Sequence, residues 1–131
     1  MKKLPAALLI SIIYLGCDPG YSVRIRNETT SPMYIKTAPS IESLYETGNI
    51  YYDSLLAIKT GQEGKLSVYK INPNYDLNLY DMLGFQPGLN YIPFDYLEFI
   101  KGNDTIILDS KEKILHQINP KSKKSRYYFN L

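Results

Sequence analysis

Apolar and polar positions alternate with a period of two through much of the chain beyond Tyr21. In Tyr21-Ser22-Val23-Arg24-Ile25-Arg26, Tyr21, Val23 and Ile25 fall on one face and Arg24 and Arg26 on the other. Successive side chains of a strand point to opposite sides, so this spacing predicts a strand with one buried and one solvated face. The same criterion predicts strands over 33–37, 50–58, 65–71, 94–101, 105–108, 113–118 and 126–131. In the last two, Ile114, His116 and Ile118, then Tyr127, Phe129 and Leu131, are expected to face inward.

Turn-forming residues separate these runs at the spacing usual for sandwiches and barrels. Gly102-Asn103 lies between two strongly patterned runs and predicts a hairpin. Two segments fit short helices. Ser40 is placed to cap one in which Ile41, Leu44 and Tyr45 share a face, ending at Gly48. Asn74 is placed to cap another, with Tyr75, Leu79 and Leu83 one turn apart, although Tyr75, Leu77 and Leu79 also alternate as in a strand. The expected fold is all-β: an antiparallel β-sandwich of about seven or eight short strands with Greek-key links and one or two short helices. A small, partly open barrel is the alternative.

The chain begins differently. Lys2 and Lys3 precede thirteen uncharged positions, Leu4 to Gly16, and the apolar run stops at Cys17. A spanning helix needs about twenty apolar residues, whereas this length suits the hydrophobic region of a secretory signal. Cys17 is the single cysteine, so no intrachain disulfide is available. Leu15-Gly16-Cys17 resembles the lipobox of bacterial lipoproteins. Tyr14 departs from that pattern, which usually has leucine there. The resemblance implies cleavage between Gly16 and Cys17, and a diacylglyceryl thioether with acylation, such as palmitate, at Cys17. Residues 1–16 would be the signal peptide, 17–20 a lipidated tether and 21–131 one β-sandwich domain. Several acyl chains together would anchor the protein firmly, where one holds only marginally.

The resemblance also implies a cell-envelope location, on the outer membrane or the periplasmic face of the inner membrane. In enterobacterial lipoproteins an aspartate at the position of Asp18 resembles an inner-membrane retention signal. The Tyr-, Ile-, Lys- and Asn-rich, Trp-free composition is similar to that of small single-domain lipoproteins of the Bacteroidetes.

Charge changes with the leader. The whole chain has 15 Lys+Arg and 13 Asp+Glu. Removing Lys2 and Lys3 leaves 13 of each sign, and a neutral domain has no global field to draw nucleic acid. The run 121–126 is locally basic and reads as a solvated hairpin loop, or as a contact for anionic headgroups.

Candidate chemistry is sparse. His116 is the single histidine, so neither a multi-histidine metal site nor a cofactor is expected. P-loop, dinucleotide-fingerprint and nucleophile-elbow motifs are absent from the sequence. The carboxylates Asp76, Asp81, Asp95 and Glu98 read as solvated surface, with Asp95 and Glu98 on opposite faces of a strand. The expectation is a non-enzyme. Tyrosine is abundant, with 13 in all, and the adjacent pairs Tyr51-Tyr52 and Tyr127-Tyr128 must send rings to opposite faces. The outward rings are candidate binding residues for a glycan or another envelope protein. Asp53-Ser54-Leu55 and Asp104-Thr105-Ile106 resemble the acceptor motif of Bacteroidetes O-glycosylation, which would place glycans on Ser54 and Thr105. Asn27-Glu28-Thr29 and Asn103-Asp104-Thr105 match an N-glycosylation sequon, but a bacterial host argues against its use. The functional expectation is a membrane-anchored, non-catalytic binding or assembly module. The alternatives are a carbohydrate-binding surface module or a carboxylate-based hydrolase.

Overall fold

A computed structural model of the chain describes residues 21–46, 57–82, 91–118 and 126–131. The leader with Gly16 and Cys17, the loop carrying Tyr51, Tyr52 and Ser54, and the basic residues 121–125 lie outside the described residues.

Most of the alternating runs form strands, and the one expected to end at 58 continues through the expected turn to Glu63. The strands are β1 (Tyr21–Arg26), β2 (Met33–Ala38), β3 (Ala57–Glu63), β4 (Leu66–Ile71), β5 (Asp76–Met82), β6 (Tyr96–Lys101), β7 (Asp104–Leu108) and β8 (Arg126–Tyr128). Two short helices accompany them, α1 (Ile41–Glu46) and α2 (Lys111–Gln117). One sheet has the order β5-β1-β8 and the other β3-β4-β2-β6-β7. The fold is all-β and sandwich-like, as the patterning predicts. The chain crosses between the sheets from β1 to β2, from β4 to β5, from β5 to β6 and from β7 to β8.

The inner faces meet in one core. Val23, Ile25, Leu77 and Leu79 come from the small sheet, and Ile35, Tyr69, Leu97 and Phe99 from the large one, all essentially inaccessible. The Phe99 ring lies 5.1 Å from Phe129 and Tyr80 lies 6.1 Å from Phe94, so aromatic contacts join the layers. The β6–β7 hairpin turns at Gly102, whose φ of +58° suits a residue without Cβ.

Three further expectations change. Residues 113–118 are not a strand with an inward His116. Ser110 caps α2, its Oγ accepting from the Lys113 backbone N–H at 3.3 Å, and His116 is exposed. Ile114 and Ile118 fit both periods. The cap and the helix-favouring Lys111-Glu112-Lys113 decide between them. Asn74 does not cap a helix. Its φ of +60° is a left-handed turn conformation, and β5 follows, burying Leu77 and Leu79. The pairing of β1 with β8 is parallel, whereas the other pairings are antiparallel.

Two buried polar side chains tie the loops to the sandwich. Asn27 is 1% exposed. Its Nδ2 donates to the carbonyls of Ser31, Ile71 and Asn72 at 2.9, 3.1 and 3.2 Å, and its Oδ1 accepts from Thr29 N–H and Oγ1. An amide so fully engaged is enclosed and not free for modification. Tyr69 reaches from β4 to α1. Its hydroxyl accepts from the Ile41 N–H at 2.9 Å and donates to Glu42. Burial, then the Glu42 contact, pushes its pKa up to about 12.

Candidate functional site

The outer face of the small sheet carries a compact ionic cluster. β1 is the central strand, so Arg24 and Arg26 have neighbours on both sides. The backbone register sets Arg26 opposite Asp76 on β5, and Arg24 opposite both Asn78 on β5 and Tyr128 on β8. A bulge between Val23 and Arg24 establishes that register.

Asp76 is the hub. Its Oδ1 accepts from Arg24 Nε at 2.7 Å. Its Oδ2 accepts from Arg26 Nη2 at 3.1 Å and from the Tyr128 hydroxyl at 2.9 Å. The Arg26 guanidinium also sits 4.9 Å from the Tyr128 ring centre. Burial alone would raise the Asp76 pKa, but the hydrogen bonds from Arg24, Tyr128 and Arg26 outweigh it and hold the carboxyl below its ordinary value. An ionised carboxylate with this much donation is suited to fixing two arginines and unsuited to delivering a proton.

Beside the cluster, at one end of the sandwich, lies a cavity of about 370 Å³ lined by residues from both sheets. Arg26 lines it from the end of β1 and Glu28 from the loop that follows, Lys101 from the end of β6, Tyr128 from the end of β8, and Phe129, Asn130 and Leu131 from the residues after that strand. Phe129 both lines the cavity and belongs to the core. Its size is at the small end for ligand sites.

The large sheet bears a second cluster on its outer face. Lys36 lies between Glu63 at 2.7 Å and Glu98 at 3.3 Å. The Tyr96 hydroxyl donates to Glu98 at 2.7 Å, and that bond, with burial, lifts the tyrosine pKa to about 12. The expectation that Glu98 is simply solvated fails, since only 13% of its side chain is exposed.

The carboxylates singled out from the sequence are dispersed. Asp95 is exposed and lies 3.5 Å from Lys111, Glu98 faces Lys36, Asp76 faces the arginines and Asp81 accepts from Asn78 at 2.7 Å. Among the described residues no group of three or more His, Cys, Asp and Glu side chains could hold a metal ion.

Tyr127 and Tyr128 point to opposite faces as expected. The Tyr127 ring packs edge-on against Tyr21 at 5.6 Å, while Tyr128 joins the ionic cluster. Thr105 is exposed on β7. The tyrosines most exposed among the described residues are Tyr91, Tyr75 and Tyr34, at 50%, 44% and 37%.

Sequence patterning placed Arg24 and Arg26 outward but missed Asp76 and Lys101 as their neighbours. Two outward arginines in one strand are the available signal, because such a pair attracts a carboxylate from the next strand. No protein family, curated protein or solved structure matches this chain.

Proposed function

We propose that this chain is a lipid-anchored cell-envelope protein whose β-sandwich is a non-catalytic binding or assembly module. The observation that carries the anchor is the order Lys2-Lys3, thirteen uncharged positions and then Cys17. The module reading is supported by the way the charged groups are used. Asp76 is held by two arginines and a tyrosine and Glu98 by a lysine and a tyrosine, an arrangement that stiffens a surface for recognition. Exposed Thr105 would serve as an O-glycan acceptor on the same surface.

Acyl labelling in cells tests the anchor. The wild-type chain is expected to incorporate labelled palmitate and to sediment with membranes. Cys17→Ala should lose both properties. A membrane-bound wild type that takes up no label would sink the proposal.

A carbohydrate-binding role is the second reading, favoured by Tyr75 and Tyr91, which leave 44% and 50% of their surface open. Such rings stack well on sugar faces.

A further inference from the structure

We infer that the cavity at the end of the sandwich is a binding site for a small hydroxylated carboxylate, of the size and chemistry of a hexuronate. The site deepens the binding-module reading and rests on it, but it does not depend on the anchor.

Two cations reach the cavity from different sheets, Arg26 from β1 and Lys101 from β6. They are not equivalent. Arg26 is fixed by Asp76 and Tyr128 through Nη2, and its Nη1 approaches only Glu28, at the limiting distance of 4.0 Å. Lys101 has no ion-pair partner among the described residues. Lys36, Lys111 and Lys113 have carboxylate partners, and Lys65 and Lys70, which share the lack of one among the described residues, do not line the cavity. An ammonium on a cavity wall, without an ion-pair partner among the described residues, is a natural receptor for an anion.

The remaining lining narrows the class. Glu28 offers only acceptors, and its side chain is 77% exposed at the rim. The Asn130 side chain both donates and accepts. A fully ionised inorganic anion such as sulfate would leave these acceptors unused and would be repelled by Glu28. A ligand with a carboxylate at one end and hydroxyl donors at the other satisfies both: the carboxylate meets Lys101 and Arg26 Nη1, and the hydroxyls donate to Glu28 and Asn130. A cavity of about 370 Å³ has room for one such ring.

Titration of the full chain in detergent with glucuronate, followed by amide NMR, tests this. Glucose, acetate and inorganic phosphate are the comparison ligands. Glucuronate is expected to shift the resonances of Arg26, Lys101 and Asn130 saturably, and glucose and acetate each to bind at least about tenfold more weakly. Lys101→Met should weaken glucuronate binding by about tenfold or more, and Lys101→Arg should restore most of it. No saturable shifts with glucuronate would overturn the site. Equal binding of acetate or phosphate would reduce it to a general anion site and overturn the ligand class. A null result here leaves acyl labelling of Cys17 unaffected, so failure of the site and failure of the anchor are separable.

Discussion

Arg24 donates from Nε to Asp76 Oδ1 at 2.7 Å, although the backbone register places Arg24 opposite Asn78. The arginine therefore reaches diagonally to the carboxylate that Arg26 faces directly. One aspartate thereby holds two arginines of the central strand, and through Tyr128 it also holds the parallel strand β8. The outer face of the small sheet is fastened at this point.

Asp76→Asn should therefore destabilise the fold. The Arg24 side chain is only 20% exposed and would lose its counter-charge. Hydrogen bonds to charged groups contribute about 1.5–3 kcal/mol. Solvent reaches 26% of Asp76, so screening moves the expected loss to about 1–2 kcal/mol. The folded pKa lies below the unfolded value of about 3.9. The stabilisation is thus present above that value and lost as pH falls through the folded pKa. Urea titrations should show a constant gap between wild type and variant near neutrality that narrows below about pH 4. A gap independent of pH would contradict this role.

Alkaline pH should weaken the fold by the opposite linkage. Tyr69 and Tyr96 are raised to about 12, and burial pushes Tyr80 up as well. An unfolded tyrosine ionises near pH 10. The unfolded chain therefore releases these protons first, and stability falls as pH rises from about 10 towards 12. Ultraviolet titration should show one tyrosine group ionising normally and a second appearing only with unfolding. Tyr69→Phe should cost on the order of 1–2 kcal/mol, because the Ile41 N–H loses its acceptor.

Much of this architecture is legible in residue patterning. Strand β1 is visible because Val23 and Ile25 alternate with arginines, and the β6–β7 hairpin because Gly102 supplies a positive φ. Residues 111–117 were not, because Ile114 and Ile118 satisfy both a strand and a helix period. The parallel β1–β8 pairing and the Asp76 cluster depend on which distant strands become neighbours. Local alternation carries no information on that choice. The cavity was hidden for the same reason, since Arg26 and Lys101 are far apart in the chain and meet only when the sheets pack.

Ser110→Ala tests the reassignment of that segment. Loss of an N-cap hydroxyl costs about 1 kcal/mol. A thermal-melt comparison should show that loss, and it should leave a control such as Ser31→Ala, whose side chain caps no helix, near wild type. Equal, negligible effects would return the segment to a strand.

Asn27→Ala probes the junction of the β1–β2 loop with the end of β4. It strands the buried Ile71 carbonyl and removes the support of Thr29 and Ser31. The expected cost is on the order of 2 kcal/mol. Asn27→Asp is nearly isosteric but has no donors, so it should be equally damaging at neutral pH. A well-tolerated Asp would show that shape, and not donation, is what the site requires.

The anchored-module account meets its most direct test in mass spectrometry of the native protein extracted from membranes. The account predicts an N-terminal peptide that begins at Cys17 and carries a diacylglyceryl thioether. A peptide running unbroken through Gly16 into an unmodified Cys17 would contradict it.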